Sequence, residues 1–266
     1  MSDGSPHDDD YADRFGGMGR LLGLPGLAKV RASHVCVIGV GGVGSWTVEA
    51  LVRSGVGAVT MIDMDDVCIT NVNRQLPALD GGIGRPKVEA LADRMRLIHP
   101  GCAIHAVTEF FTASNAAGLL AAEPFDFVID AVDRISTKVL IITECRTHGV
   151  PLLTVGGAGG RRDATAVRTA DLAFSTGDNL LRGVRRKLRR QHGFPADDRQ
   201  PFGISSVYSA EPQVFPWADG TCRAEPEAAG TMKLDCASGF GAASFVTGVF
   251  GFAAAGEVVR RLAEKA

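Results

Sequence analysis

The sequence predicts an α/β protein built on a doubly wound, mainly parallel Rossmann-like sheet, with helices on both faces and a smaller C-terminal lobe. Two observations support this prediction. Short apolar runs alternate with amphipathic segments as far as residue 155, and strands separated by helices form parallel sheets with right-handed crossovers. The first apolar run also leads into a glycine-rich turn and a helix, as in the opening βαβ unit of such sheets.

The βαβ unit spans residues 35–66 and predicts a nucleotide pocket. Its turn contains Gly39, Gly41, Gly42 and Gly44. Glycines let the main chain turn sharply and approach a phosphate at the start of a helix. Asp63 and Asp65 close the second strand about 20 residues further on, the spacing of a carboxylate that binds ribose hydroxyls. This unit alone leaves open whether the nucleotide is a dinucleotide or ATP.

Hydrophobic periodicity predicts the remaining elements. Helices are expected at residues 86–98, 114–122, 136–148 and 178–192, and strands at 103–107, 125–131, 151–155, 164–169, 204–209 and 213–215. An apolar helix pattern near the amino terminus is broken by Pro25. We divide the chain into a flexible leader (1–13), a nucleotide-binding core (14–160), a substrate-facing lobe with a basic helix (161–235) and a C-terminal packing helix (236–266). A single overall domain is the alternative.

Composition limits the function classes and the compartment. The formal net charge of the 266 residues is −2, so no overall field attracts a nucleic acid or a membrane. Six cysteines are scattered without a Cys-x-x-Cys pair, which is typical of a reducing cytosol and predicts a cytoplasmic location. Residues 236–256 are uncharged and long enough to span a bilayer. Their glycines and serines favour a buried helix contact over that membrane association.

Polar and cationic residues follow the second strand of the βαβ unit, at the sheet edge where open parallel sheets bind ligands. The loop carries Asn71, Arg74 and Gln75, and Lys87 stands in the first turn of the next predicted helix. For Lys87, position alone leaves two interpretations open: a phosphate ligand and a solvated surface lysine.

The strand predicted at 125–131 delivers two carboxylates, Asp130 and Asp133, to the same edge. One of them is expected to bind magnesium or to align the reacting group. The alternative for Asp133 is a helix cap, because it directly precedes a predicted helix and aspartate is a common capping residue.

Six cations crowd the helix predicted at 178–192. They are Arg182, Arg185, Arg186, Lys187, Arg189 and Arg190. One interpretation is a solvated surface helix with acidic neighbours. We favour contact with the phosphate backbone of a nucleic acid, because a cluster of this kind is the electrostatic footprint of such binding.

The combination of these groups favours ATP over a dinucleotide. A dehydrogenase has no need for an arginine and a lysine that converge beside the phosphate turn. Attack of a carboxylate on the α-phosphorus of ATP builds charge on the transferred phosphate and on the leaving pyrophosphate, and cations and magnesium stabilise that charge. The pattern therefore predicts an adenylating enzyme that uses ATP and Mg²⁺.

Five motifs carry a family resemblance. They are Arg14-Phe15-Gly16-Gly17, Val43-Gly44-Ser45-Trp46 and the segments 62–68, 156–160 and 235–241. Through them the chain resembles the ubiquitin-activating-enzyme-like superfamily, whose bacterial members adenylate carboxylates, and more closely its tRNA threonylcarbamoyladenosine dehydratases. The resemblance extends from Arg14 to the final helix. Cys236 lies in the last motif, and we interpret it as a small buried residue at a helix start.

The resemblance implies a role for each residue of the nucleotide site. The four glycines of the turn would hold the ATP phosphates, and Asp63 would bind the ribose. Asn71, Arg74 and Lys87 would contact the phosphates, Asp133 would position magnesium or the reacting centre, and Asp65 and Gln75 complete the predicted set. Arg14 or Arg20 would reach from one subunit into the site of its partner, so the resemblance also implies a homodimer.

The implied reaction is ATP-dependent cyclisation, with loss of water, of N6-threonylcarbamoyladenosine in tRNA through a carboxyl adenylate, giving AMP and pyrophosphate. The main alternative is adenylation of the C-terminus of a ubiquitin-like sulfur carrier. Bacterial enzymes of that kind commonly hold structural zinc with two Cys-x-x-Cys pairs, which this sequence lacks, so no structural zinc is expected. A third hypothesis is a non-catalytic nucleotide-binding protein that recruits partners. Sulfur-transfer accessory proteins are further candidate partners.

Overall fold

A computed structural model describes residues 10–227 and 240–265. Its main sheet contains β1 (His34–Ile38), β2 (Ala58–Ile62), β3 (Ala103–Val107), β4 (Phe127–Asp130), β5 (Leu152–Val155), β6 (Val167–Asp171) and β7 (Ser205–Ser209). Their spatial order is β3-β2-β1-β4-β5-β7-β6, and each neighbouring pair is parallel except β6 and β7. The predicted doubly wound, mainly parallel sheet is therefore confirmed.

Helices cover both faces of this sheet. The described α-helices are α1 (Asp10–Ala32), α2 (Gly44–Arg53), α3 (Lys87–Ile98), α4 (Ala116–Ala121), α5 (Ile135–His148), α6 (Asn179–Gln191) and α7 (Ser244–Glu264). A separate small hairpin pairs β8 (Phe215–Pro216) with β9 (Cys222–Arg223).

The side chains of β1 show how the sheet divides the core. Val35 and Val37 join an apolar cluster with α2, α3 and α7, whereas Cys36 and Ile38 join a second cluster with α4, α5 and α6. All four side chains are buried. A parallel strand that is covered on both faces needs a continuous apolar run instead of an alternating one, which explains the run in the sequence.

The amino-terminal region differs from the prediction. Residues 10–13 of the predicted leader belong to α1, where Tyr11 is buried and its hydroxyl donates a 2.7 Å hydrogen bond to the carbonyl of Gly55. The rest of the predicted leader lies outside the described residues. The helix kinks at Gly23, whose φ is 74°, just before Pro25, so the break predicted at the proline is present in the chain.

The second half of the chain extends the main sheet. Strands β6 and β7 come from the predicted lobe 161–235 and pair alongside β5. The strand predicted at 164–169 begins later, because Asp163 caps a short 3-10 turn, Ala164–Ala166, by accepting a hydrogen bond from the amide of Thr165. The strand predicted at 213–215 is shifted into the hairpin β8–β9.

The final helix packs through a small residue, as predicted. Built onto Gly251 of α7, a Cβ atom would lie 2.7 Å from Cβ of Trp46 and 2.8 Å from the carbonyl oxygen of Val43, so only glycine lets α7 approach α2 this closely. No helix within 10–227 or 240–265 is long and apolar enough to cross a membrane. Cys236 lies outside the described residues.

We expect Gly251→Ala to lower the free energy of unfolding by about 1–3 kcal/mol, because the added methyl group overpacks the contact between α2 and α7. The matched control is Gly256→Ala on the same helix, where an added Cβ meets open space. That change should raise the free energy of unfolding by about 0.5–1 kcal/mol. Urea denaturation of both variants measures the difference, and equal stabilities would contradict the close contact.

Candidate nucleotide site and basic helix

The glycine turn between β1 and α2 is folded tightly onto itself. Gly39 has a φ of 86° and donates its amide to the carbonyl of Ile62 at 2.8 Å. A Cβ atom on Gly44 would overlap the carbonyl oxygen of Gly39. Helix α2 begins at Gly44, and the preceding Val43 supplies no side-chain cap. The amides at this helix start and its positive dipole end therefore suit an anion.

Asp63 lies directly against the turn. One carboxylate oxygen accepts a 2.8 Å hydrogen bond from the amide of Val40, and the other accepts a 2.9 Å bond from the amide of Asp65. Each oxygen keeps a second lone pair for a ligand hydroxyl. The structure thus places Asp63 beside the turn, as expected for a ribose-binding carboxylate.

Arg74 is brought to the turn by two helices. Its side-chain stem passes 3.6 Å from the position of a Cβ on Gly42. Its carbonyl accepts hydrogen bonds from Trp46 of α2 at 3.0 Å and from Thr247 of α7 at 3.2 Å. The guanidinium donates to the carbonyl of Thr70 at 2.7 Å. Residues that are far apart in the sequence therefore fix this cation beside the phosphate turn.

Two buried amides line the same loop. The side-chain oxygen of Asn71 accepts a 3.1 Å hydrogen bond from the amide of Cys68, so this residue shapes the loop. Gln75 is 9% exposed, and its Oε1 has no hydrogen-bond partner in the described part of the chain. Its Nε2 lies 3.7 Å from the position of a Cβ on Gly41. An unpaired buried oxygen next to the turn fits a site that takes a polar ligand.

Lys87 is not a solvated surface lysine. It is 5% exposed, and its ammonium donates a 2.7 Å hydrogen bond to a carboxylate oxygen of Asp65. Asp66 and Pro86 also form a backbone bridge. The end of β2 and the start of α3 are thereby joined, and Lys87 is held at the carboxyl edge of the sheet, near Asp63.

The two aspartates at the end of β4 have different environments. Asp130 is fully buried and binds Lys138 at 3.0 Å and the hydroxyl of Thr154 at 2.6 Å. Its other oxygen accepts from the amide of Val132 at 3.2 Å. Asp130 is therefore structural, and it fixes the loop that leads to Asp133.

Asp133 is exposed and makes no hydrogen bond or ion pair with any residue that the structure describes. Helix α5 is preceded by Arg134, without a side-chain cap, so the interpretation of Asp133 as a helix cap is wrong. The loop lies against the glycine turn, because a Cβ on Gly39 would be 3.1 Å from Val132 and from Ala131. The exposed carboxylate of Asp133 thus follows directly on residues that pack against the phosphate turn.

Arg14 lies at the opposite edge of the sheet. Its guanidinium donates to the carbonyl of Ile98 at 3.3 Å and pairs with Asp10 at 3.5 Å. Ile98 ends α3, just before the start of β3. Within one chain, Arg14 therefore does not join the nucleotide site, and Arg20 is exposed on the same helix. Their crossing into a partner stays a prediction.

The basic helix α6 is amphipathic and firmly docked. Asp178 caps it by accepting from the amide of Leu181 at 2.8 Å, and the same carboxylate accepts from Gly157. Four cations on the helix are exposed, namely Arg182, Arg186, Lys187 and Arg190, whereas Arg185 and Arg189 are half-buried. Burial lowers the pKa of the Arg185 guanidinium below its ordinary value, and the neighbouring Arg189 lowers it further.

Sequence reasoning missed several residues of this edge. Lys138, Trp46 and Thr247 act through partners that are distant in the sequence, so no local pattern marks them. Arg161, which follows the glycines 156–160, is almost fully buried, and two of its guanidinium nitrogens lack a partner within the described ranges. Burial lowers its pKa. A charged residue directly after a glycine run was the one signal for Arg161.

The fold and the phosphate turn place the chain among nucleotide-binding proteins with a doubly wound sheet. Residues 17–266 match the ThiF family. The chain therefore belongs to the ThiF family.

Similar proteins share nearly the whole chain. The tRNA threonylcarbamoyladenosine dehydratase of Haemophilus influenzae is 44% identical over 257 residues, which cover 97% of this chain and 96% of that protein. A crystal structure of Escherichia coli tRNA N6-threonylcarbamoyladenosine dehydratase in complex with ATP is 38% identical, with 98% of both chains covered and a TM-score of 0.86. The structure of the same protein in complex with AMP gives a TM-score of 0.85 with the same coverage.

Proposed function

We propose that this protein catalyses the ATP-dependent cyclisation, with loss of water, of N6-threonylcarbamoyladenosine in tRNA. The observation that carries the proposal is the 44% identity to a tRNA threonylcarbamoyladenosine dehydratase over 97% of the chain. The site geometry supports it, because the Arg74 stem packs against Gly42 of the phosphate turn, and the exposed carboxylate of Asp133 directly follows Val132, which packs against Gly39.

The reaction has two chemical steps. A carboxylate oxygen of the threonine moiety attacks the α-phosphorus of ATP, and the bond from that phosphorus to the bridging oxygen breaks, which releases pyrophosphate. The carbamoyl group then loses a proton and attacks the activated carbonyl, closing a ring and expelling AMP with the former carboxylate oxygen. The net change in the nucleoside is the loss of one water. Nucleophile and electrophile belong to one molecule, so proximity favours the second step.

Each residue of the site has a proposed task. The amides of the glycine turn and the start of α2 bind phosphate, and Asp63 binds the ribose. Arg74 and Lys87 stabilise the charge that develops on the phosphates. Asn71 holds the loop that presents Arg74, whose amide donates to the carbonyl of Asn71 at 3.0 Å, and Gln75 offers its free oxygen to the nucleotide.

Asp133 fits a magnesium ligand, because its carboxylate is exposed and unpaired within the described chain. Magnesium is usually held by one or two carboxylates together with substrate phosphates. When bound, the ion would neutralise charge on the phosphates of ATP. No group of three or more His, Cys, Asp or Glu side chains that could hold a metal ion occurs in the described part of the chain.

A comparison of modified tRNA, unmodified tRNA and a ubiquitin-like carrier protein as substrates tests the proposal. We expect AMP and pyrophosphate to form from ATP when tRNA that carries N6-threonylcarbamoyladenosine is added, and not with the same tRNA without the modification. AMP formation driven by a ubiquitin-like carrier protein would support the alternative adenylyltransferase. If neither tRNA nor carrier drives turnover while ATP still binds, the protein is a nucleotide-binding recruiter of partners.

We expect Arg74→Gln to lower kcat for AMP formation about 100-fold, the effect of removing one preorganised donor at a developing negative charge. The matched control is Arg96→Gln, because Arg96 is exposed on α3 and pairs with Asp93 of its own helix. Single-turnover AMP formation at saturating ATP provides the measurement. Unaltered turnover in Arg74→Gln would exclude this residue from the site.

We also propose that the protein is a homodimer in the cytoplasm. Leu21 and Leu24 are largely exposed on α1, and Phe252 is half-exposed on α7, where it contacts Trp46 edge-on at 5.9 Å. Exposed apolar side chains on neighbouring helices fit a subunit contact. Light scattering at working concentration should give twice the 27.9 kDa chain mass, and a monomer would contradict the dimer together with the crossing of Arg14.

A further inference from the structure

A basic cleft of about 660 Å³ runs along α6. Its opposite wall is the short 3-10 turn Leu172–Phe174 with the two residues that follow it. Five arginines of α6 line this cleft. The one carboxylate in its lining is Asp198, whose side chain is mostly exposed. The cleft therefore concentrates positive charge in a protein whose formal net charge is −2.

Two of the arginines are built into the walls. Arg185 donates a short hydrogen bond to the hydroxyl of Ser175, which is itself buried and donates to the carbonyl of Leu172 at 3.0 Å. Arg189 donates to the carbonyl of Pro195 at 3.1 Å and pairs with Asp198 at 2.7 Å. These contacts hold both guanidinium groups in fixed positions.

The pair Arg185 and Arg189 still has an unused hydrogen-bond donor. Nη2 of Arg189 is buried and has no hydrogen-bond partner among residues 10–227 and 240–265. A guanidinium has five N–H donors in a planar fork that matches phosphate oxygens. Asp198 pairs with Arg189 alone in the described part of the chain, and Arg189 lowers the pKa of Arg185, so a second anion in the cleft would offset the repulsion between the two guanidinium groups.

The cations are arranged for a chain of phosphates. Arg182, Arg185 or Arg186, and Arg189 or Arg190 recur every three to four residues, so they share one helix face with steps of about 5–6 Å. Phe174 lines the cleft with a 43% exposed side chain. An exposed aromatic ring next to arginines is the platform on which unpaired bases stack.

The cleft is also linked to the proposed catalytic edge. Gly183 of α6 packs against Ile135, the first residue of α5, because a Cβ on Gly183 would approach its side chain within van der Waals distance. Ile135 follows Asp133 by two positions in the sequence. Asp178, which caps α6, also accepts a hydrogen bond from the amide of Gly157, a residue that follows β5 in the chain. An extended ligand in the cleft would therefore enter beside the proposed nucleotide site.

We propose that this cleft binds an unpaired RNA strand, with Arg185 and Arg189 holding a phosphate and Phe174 stacking on an adjacent base. The inference rests on the proposed function, in which tRNA is the substrate. It assigns a specific task to the half-buried pair, whereas the exposed Arg182, Arg186, Lys187 and Arg190 attract the RNA through long-range charge.

The test uses the full-length protein and two RNA probes, a 17-nucleotide stem-loop and a duplex of equal length, in fluorescence anisotropy at several salt concentrations. We expect Phe174→Ala to weaken stem-loop binding about tenfold and to leave duplex binding unchanged. Arg185→Gln should weaken binding of both RNAs and reduce the salt slope by about one. Arg96→Gln, on α3, is the control and should bind as the unaltered protein does.

Phe174 is exposed, so its variant keeps the fold even if Arg185→Gln does not, and circular dichroism checks both. Stem-loop binding by Phe174→Ala at the unaltered affinity would overturn the proposal, as would tighter binding of a polyglutamate peptide than of RNA. The proposed function fails separately: it is refuted if the unaltered protein binds the stem-loop but forms no AMP with modified tRNA. Full turnover together with unaltered binding by both variants refutes only the cleft.

Discussion

Asp133→Asn is expected to lower the rate of AMP formation about 1,000-fold, the upper range for loss of one preorganised charge contact at a reacting phosphate. The carboxylate is exposed and has no partner among the described residues, so the change removes negative charge without breaking a structural contact. We expect the free energy of unfolding to change by less than about 0.5 kcal/mol, as for an ordinary surface substitution. Pre-steady-state AMP formation and urea denaturation measure the two quantities.

Asp80→Asn is the matched control for this prediction. Asp80 is also exposed and lies in the loop before α3, and its variant should turn over as the unaltered protein does. A normal rate in Asp133→Asn would remove this residue from the catalytic set. Equal loss in both variants would show that the effect is one of surface charge.

Lys138→Met is expected to lower the free energy of unfolding by about 3–5 kcal/mol. Lys138 and Asp130 are both fully buried and paired at 3.0 Å. Methionine fills the space of the lysine stem but leaves the carboxylate of Asp130 as an uncompensated buried charge. Thr154 and the amide of Val132 still donate to it, and these two neutral hydrogen bonds do not replace a cation. Urea denaturation monitored by circular dichroism measures the loss.

A double-variant cycle separates the buried charge from the lost packing. Adding Asp130→Asn to Lys138→Met removes the orphaned charge, so the double variant should be more stable than Lys138→Met alone. Purely additive losses would contradict a direct coupling between the two side chains. Because the pair fixes the loop before Asp133, we expect Lys138→Met to lose activity at temperatures where it is still folded.

The parts of the fold that sequence predicts well depend on local patterns. The unit β1–α2–β2 was predicted within one to four residues of its observed boundaries, because apolar runs, glycines and a helix face are all visible within a short window. The same holds for the helix predicted at 178–192, which is observed at Asn179–Gln191, and for Lys87 at the start of α3. Glycine spacing located the phosphate turn, since the positive φ of Gly39 and the close main-chain approach at Gly44 exclude other residues there.

Roles set by distant contacts could not be predicted. Asp130 ends a buried strand and Asp133 follows it, and only the positions of Lys138 and Thr154 show that the first is a buried structural group. The sequence likewise did not show that the main sheet continues past the predicted boundary at residue 161, because the pairing of β7 with β5 depends on the three-dimensional path of the chain. The position of Arg14 at the opposite edge of the sheet could not be predicted for the same reason.

The most direct test of the central claim is the mass of the modified nucleoside. The protein is incubated with ATP, magnesium and tRNA that carries N6-threonylcarbamoyladenosine. The tRNA is then digested gently to nucleosides, and the mass of the modified nucleoside is measured. The proposed function predicts a product lighter by one water, formed only when ATP is present and lost in Asp133→Asn. An unchanged nucleoside, with ATP bound and the protein folded, would contradict it.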